Sequence, residues 1–531
     1  MPDTSPTTAT RKTWLLLVGA AIAILLARIA YLVWLCPYDL AADEAQYWDW
    51  SRRLDLSYYS KGPGVAWLIA PAVRLFGDTE WAVRLPAALA AFASMLILGR
   101  FALTASKGNS RAGWFALFTF SLLPVFYATS QFMTIDGPFY AFWLGTSFFG
   151  WSLATRRRNS PGWFFLLGSL IGIGLLCKYT ILLLLPGLIV FFIRDGLLPR
   201  GRRAIPLMAL FVGLVVFSLP VLIWNAQHGW PTVAHLIGAA RLPGGDVAPD
   251  PGRHYNPLWT LSYFLYPFAL LGPPAAWLTF LALRNARRER TLTPDNWRLA
   301  SFALHTAAPI LGFYLLVTLG TDVKLNWPAA GFTVFLVPLA VHAAARIKTD
   351  PLTRKLWVWT VGVGLVCALS ISFARMPLAA IDQKTVLKWK IDTTPMLKRI
   401  SGFTTFAGRV KREADALKKE TGQDPFIVAS TYGRAALLAF YMNGHPSVAS
   451  ADSYMGGRES SYDYFPDTDL SDPGLLGRPA VLFDNAQWVW EKALYFQVIE
   501  RTRTPRTRYD GPLYRAYEYR GPCREPHMKS R

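Results

Sequence analysis

Apolar residues run in stretches long enough to cross a bilayer, separated by short polar joints. A helix rises 1.5 Å per residue, so about 20 apolar residues span the hydrocarbon core. Eleven stretches qualify once kinks are allowed: 14–34, 81–103, 112–128, 138–154, 162–177, 180–193, 204–224, 258–283, 299–318, 327–345 and 356–376. The fifth and sixth are short and adjacent, as in a tight hairpin. The first is longer than a signal-peptide core and lacks a small-x-small cleavage site, so it reads as an uncleaved span. From 377 to 531 no stretch spans. The pattern there predicts a charged helix over Phe403–Thr421, an apolar helix over Arg434–Met442, and strands at Pro425–Ser430, Pro479–Phe483 and Leu513–Tyr519. The expected architecture is mainly α: a polytopic membrane domain of about 11 transmembrane helices over residues 1–376, then a soluble α/β domain over 377–531.

Charge orients this chain. With Arg11 and Lys12 inside, the inner joints carry clusters such as Arg156–Arg158 and Arg284, Arg287, Arg288 and Arg290. Beyond the first loop, the outer joints between spans hold only Lys178, Arg241, Arg253 and Lys324. That is the positive-inside distribution. It places the N-terminus in the cytoplasm, and the loop 35–80 and the tail on the extracytoplasmic side of a cell inner membrane.

Composition agrees. Hydrophobic residues make up 53%, charged residues 17%, and there are 21 Trp; the mean hydropathy is +0.26. A net charge of +21 is compatible with a nucleic-acid partner. The basic residues fall in joints between spans, however, so the charge is read as topology and no nucleic acid is expected. The four cysteines, Cys36, Cys177, Cys367 and Cys523, form no CxxC pair, which argues against a zinc or redox framework.

The informative carboxylates are those held at the membrane interface. Asp43-Glu44-x-x-Tyr47-Trp48 follows the first span. Its aromatics suit a helix lying among headgroups. Asp43 and Glu44 also read simply as the first turn of that helix, with Asp43 as N-cap. Lys61, between Tyr58-Tyr59 and a Gly-Pro-Gly turn, suits a phosphate contact or a snorkelling lysine. Asp136 reads as a second acidic site or as an N-cap before Pro138. Lys178 and Lys324 flank outer span ends, and Arg28 sits inside the first span, to pair or to snorkel. Together these residues put a base and an anion clamp on one membrane face. That combination suits group transfer from a phosphate leaving group.

The stretch Asp43-Glu44-x-x-Tyr47-Trp48, then Tyr58-Tyr59 and Arg84-Leu85-Pro86, resembles the opening of polyprenyl-phosphate-sugar-dependent glycosyltransferases of the GT-C superfamily. These include the protein O-mannosyltransferase-like (family 39-type) enzymes and the aminoarabinose transferases. The similarity continues through Thr134-Ile-Asp136, Gly174–Lys178, Lys324–Pro328 and Leu437–Gly444. The resemblance implies an inverting glycosyltransferase using a polyprenyl-phosphate-linked sugar donor and a glycolipid, glycan or protein acceptor such as lipid A. It implies catalytic roles for Asp43, Glu44 and Asp136, and donor-phosphate contacts for Lys61, with Lys178 and Lys324 beside it. The aminoarabinose transferases' metal-binding Glu falls at Ser60, and His254 matches their ligand histidine. A lone imidazole is a poor site for a divalent cation, so no metal cofactor is expected, with His254 the single candidate.

Two rival readings stand beside this one. A lipid-linked sugar flippase would place polar residues near the midplane and often show repeats; here the carboxylates cluster at span ends and no repeat is found. A non-catalytic glycolipid-binding relative is kept open by the departures at Ser60 and Gly62.

Overall fold

The computed structural model describes residues 8–199, 201, 203–239, 244–246, 255–382, 385–386, 389–390, 393, 399–502 and 511–523. All eleven apolar stretches are helical. They correspond to α1 (Thr8–Trp34); then, after α2 (Ala42–Arg52) and α3 (Gly64–Phe76), α4 (Glu80–Ala105), α5 (Ser110–Leu122) with α6 (Pro124–Gln131), and α7 (Asp136–Thr155). Next come α8 (Pro161–Leu175), α9 (Leu184–Arg194) and α10 (Ala204–Gln227). After the short α11 (Pro231–Ala239) the series ends with α12 (Pro257–Leu271) and α13 (Pro273–Arg288), α14 (Pro294–Val317), α15 (Ala329–Arg346) and α16 (Pro351–Phe373). Six of these helices are long and apolar enough to cross a membrane, or eight if each bent pair is one span. The bends are 65° between α5 and α6 and 101° between α12 and α13. Prolines stand at both breaks, Pro124 and Pro273, where a missing N–H and the ring interrupt the ladder. With α7 and the short α8 and α9 the helices fill all eleven stretches; the number of full crossings stays an expectation.

Charged residues sort to opposite ends of the bundle. Arg298 joins the end of α9 through Asp195 (2.6 Å) and the end of α7 through the Ala154 carbonyl (2.9 Å). Arg157 also reaches Asp195, and Arg346 reaches Glu289. The other end gathers the acidic and lysine candidates described below.

The tail adds the short helix α17 (Arg375–Ile381) and an antiparallel pair, β1 (Thr385–Val386) with β2 (Trp389–Lys390). A five-stranded mixed sheet follows, ordered β4-β3-β5-β7-β6. Its strands are β3 (Phe426–Ala429), β4 (Val448–Ser450), β5 (Ala480–Phe483), β6 (Leu494–Arg501) and β7 (Leu513–Pro522). Three helices pack with it: α18 (Phe403–Thr421), α19 (Tyr432–Tyr441) and α20 (Gln487–Ala493).

One apolar core joins the tail to the loop that follows α1. Tyr47, Trp48 and Trp50 of α2 and Ile69 of α3 share it with Phe406, Leu438 and Phe483 of the tail. The headgroup-level position expected for α2 is therefore corrected. Trp48 and Trp50 are fully buried: Phe440 of α19 packs on Trp48, and Tyr58 stacks on Trp50. Tyr441 seals the join, its hydroxyl accepting from the Leu40 N–H (2.6 Å).

Candidate active site

α2 begins at Ala42, with Ala41 in the cap position. The expectation that Asp43 caps this helix is thus corrected, since Asp43 lies in the first turn with an exposed side chain. Glu44 does the local work instead: its Oε2 accepts from the Ala41 N–H (2.9 Å). It is fully buried and meets three further donors: Arg84 Nε at 2.9 Å, Arg84 Nη2 at 2.8 Å and the Met133 N–H at 2.8 Å. Arg84 donates also to the carbonyls of Tyr38 (2.9 Å) and Asp39 (2.8 Å). Glu44 and Arg84 therefore tie α2, α4, the α1–α2 joint and the α6–α7 joint into one bracket. That bracket holds Asp43 still while leaving its carboxylate open.

The Gly-Pro-Gly turn brings Lys61 to its place. The Gly64 N–H donates to the Leu176 carbonyl (2.8 Å), and a Cβ on Gly62 would lie 2.3 Å from that same oxygen. Only a residue without a side chain lets the loop close onto the end of α8, so Gly62 carries a steric role. Two residues past Leu176 stands Lys178. Its Nζ donates to Asp136 Oδ1 (2.7 Å), and Asn326 Nδ2 donates to Asp136 Oδ2 (2.6 Å). Asp136 is 2% exposed. It begins α7, but its carboxylate is spent on Lys178 and Asn326 rather than on a cap.

Lys61, Lys178 and Ser60 line a cavity of about 210 Å³ with Tyr314, Trp327 and His235. Among the described residues no ion pair engages Lys61; its Nζ lies 5.0 Å over the Tyr47 ring. Tyr47 is the hub of the site. Burial, and then the charges of Asp43 and Asp136, push its phenol well above the ordinary range. Tyr432 of the tail stands beside Asp43, and its phenol is raised by burial and by that carboxylate. A Cβ on Gly433 would come 2.9 Å from the Ala42 Cβ, so this glycine sets how closely the tail approaches Asp43.

α11 covers the cavity from one side. His235 Nδ1 lies 2.8 Å from Asp246 Oδ2, and the Tyr59 hydroxyl donates to the same oxygen (2.8 Å). Burial opposes the Asp246 charge, but hydrogen bonds from His235 and Tyr59 and the charge of Arg458 outweigh it, holding this carboxyl below its ordinary value.

The structure therefore brings Asp43, Asp136, Lys61 and Lys178 around Tyr47 and the cavity. Lys324 is exposed and does not line the cavity; of the same joint, Trp327 lines it and Asn326 bonds Asp136. His254 lies outside the described residues. Ser60, where the resemblance implies a metal-binding Glu, offers only a hydroxyl. Among the described residues no three His, Cys, Asp or Glu side chains converge to hold a metal. Sequence reasoning missed Tyr47, Asn326, His235 and Tyr432 as site residues. Tyr47 carried a signal: it lies one helical turn from Asp43, on the same face.

Comparison with known proteins fits this geometry. Residues 60–224 match the family model described as dolichyl-phosphate-mannose-protein mannosyltransferase. The chain is 28% identical over 439 residues to the lipid A galacturonosyltransferase RgtD of Rhizobium johnstonii, covering 80% of this chain and 82% of that one. It is 27% identical over 278 residues to the undecaprenyl phosphate-alpha-4-amino-4-deoxy-L-arabinose arabinosyl transferase of Aeromonas salmonicida, covering 50% and 48%. Among solved structures, ArnT from Cupriavidus metallidurans bound to undecaprenyl phosphate superposes with a TM-score of 0.62 at 15% identity, over 94% of this chain and 97% of that one. The architecture and these relatives agree: the chain is a multi-pass membrane glycosyltransferase that is similar in sequence to RgtD and the aminoarabinose transferases and shares the fold of ArnT.

Proposed function

We propose that this enzyme moves one sugar from a polyprenyl-phosphate carrier to lipid A or a closely related glycolipid, with inversion, at the extracytoplasmic face of the inner membrane. The observation that carries the reading is the pair of lysines, Lys61 and Lys178, in one cavity beside Asp136, with the open carboxylate of Asp43 held near by. ArnT, which shares the fold, was solved with undecaprenyl phosphate, and RgtD acts on lipid A. The positive-inside distribution supports the orientation, with the N-terminus cytoplasmic and the tail outside.

The chemistry follows from charge. The Asp43 carboxylate takes the proton of an acceptor hydroxyl. The acceptor oxygen attacks the anomeric carbon, and the bond from that carbon to the phosphate oxygen breaks. The electron pair leaves with the phosphate, where Lys61 and Lys178 stabilise it. Asp136 orients Lys178. Glu44 does not touch the reacting atoms; it fixes the helix that carries Asp43. Tyr432 places the tail at the acceptor side.

The test is transfer by the purified protein in lipid vesicles, given an undecaprenyl-phosphate-linked sugar and lipid A, with products read by mass spectrometry. A glycosylated lipid A supports the proposal. Movement of the donor across vesicles with no transfer would instead favour a flippase, and donor binding with no turnover a non-catalytic relative.

A further inference from the structure

A second groove lies away from the reaction chamber, between α1, α5, α6 and α16, with a volume of about 710 Å³. It shares no lining residue with the chamber; the segment from Gln131 to Ile135 runs between them. Its walls are apolar, with Trp114, Phe118, Trp357, Leu365 and Leu369. The stretch of α16 from Trp357 to Ser372 that lines it is about 22 Å long at 1.5 Å per residue. One leaflet contributes about half of a 30 Å core, so a full acyl chain fits along it.

One end of the groove is polar, and its polar groups are incompletely matched. Arg28 is the one charged residue of α1 beyond Lys12 and is 5% exposed. Its Nη2 donates to the Ser121 carbonyl (3.3 Å), and the guanidinium lies 6.0 Å from the Tyr127 ring centroid. Its Nη1 is buried with no partner, and no carboxylate pairs with it among the described residues. Gln131, lining the same end, has a buried amide oxygen with no donor. The neighbouring hydroxyls are already satisfied: Tyr31 donates to the Ser372 carbonyl (2.7 Å), and Tyr127 meets the Ser372 hydroxyl (2.6 Å). An unmatched cation and an unmatched acceptor thus sit at the mouth of an apolar slot.

Leaving a buried guanidinium unpaired costs several kcal/mol, and an ionisable residue at membrane depth marks a ligand or a partner. Arg28 lies six residues before the end of α1 at Trp34, about 9 Å along the helix. At that depth the bilayer itself supplies anions, as lipid phosphates.

We propose that this groove binds a bilayer phospholipid with a hydroxylated anionic headgroup, of the phosphatidylglycerol type. The phosphodiester accepts from Arg28, a headgroup hydroxyl donates to the Gln131 carbonyl, and one acyl chain lies along α16. The site is separate from the donor cavity and does not depend on which sugar the enzyme moves.

The test is photo-crosslinking of the full-length protein in vesicles, with diazirine-bearing phosphatidylglycerol or with a diazirine-bearing diacylglycerol that lacks phosphate, and peptide mapping of the adducts. Phosphatidylglycerol should label segments from α1, α5 and α16 lining the groove, and diacylglycerol should not. Arg28→Leu should cut that labelling about fivefold, the loss of roughly 1 kcal/mol of phosphate attraction, and Arg28→Lys should keep most of it. Should Arg28→Leu fail to insert, Leu369→Trp, which fills the slot and leaves Arg28 in place, must abolish the labelling. Equal labelling by diacylglycerol, or labelling that survives both Arg28→Leu and Leu369→Trp, would overturn the proposal. So would displacement of the probe by undecaprenyl phosphate, which would make the occupant the carrier instead.

Discussion

Glu44→Gln separates the two acidic residues that open α2. Glutamate at this position accepts four hydrogen bonds of 2.8–2.9 Å, two from Arg84 and one each from the Ala41 and Met133 N–H groups. Glutamine fills the same space but offers one oxygen, and its amide hydrogens would face donors. At most the two bonds on one oxygen survive, and the Arg84 guanidinium, 1% exposed, loses its counter-charge. Charge-assisted hydrogen bonds contribute about 1.5–3 kcal/mol each. Removing one partner of a buried pair costs about 3–5 kcal/mol by direct comparison, and the two routes agree. The expected result is a fall in thermal midpoint of roughly 3–5 °C for a chain of this length, measured by intrinsic fluorescence in detergent. Asp43→Asn, at an exposed carboxylate, should stay within about 0.5 kcal/mol of the parent. A Glu44→Gln protein as stable as the parent but inactive in transfer would refute the bracket and put Glu44 on the substrate.

Three further outcomes follow from the same geometry. Gly62→Ala places a Cβ 2.3 Å from the Leu176 carbonyl; it should push Lys61 from Lys178 and weaken donor binding about tenfold or more, read by titration with undecaprenyl phosphate. Gly433→Ala drives the tail off Ala42 and should lower turnover about 10–100-fold, the scale for misplacement by an ångström, with donor affinity unchanged. In the tail, burial and the Asp463 charge push the Asp452 carboxyl up from 3.8 to about 6. A folded-state pKa raised above the unfolded one means the fold binds the proton more tightly, so stability falls as pH rises between those values. Asp452→Asn should therefore raise the thermal midpoint at pH 7.5, with the gain vanishing towards pH 4.

Much of the fold was legible because membrane spans announce themselves by length and apolarity. The helix over Phe403–Thr421 was legible end to end, since its charged and apolar residues alternate at helical spacing. β4 was not, at three residues. Nor was β6, whose mostly exposed residues lack a regular alternation. In the site, the nearness of Asp43, Asp136, Lys61 and Lys178 was foreshadowed by charge topology, which put all four at one end of the bundle. The division of labour between Asp43 and Glu44 was not. It depends on Arg84, forty residues away, and on a backbone N–H at Met133. Tyr432 was invisible because its relevance comes from how the tail docks on α2, a contact across almost 390 residues that carries no local pattern.

The central claim is that Asp43 acts as base while Lys61 and Lys178 hold the departing phosphate. Single-turnover transfer by Asp43→Asn, measured beside donor affinity in the same vesicles, tests it most directly. The account predicts transfer slowed by about 10²–10⁴-fold, the usual weight of a general base, with donor affinity within about twofold of the parent. Transfer at the parental rate, or loss of donor binding in place of turnover, would contradict it.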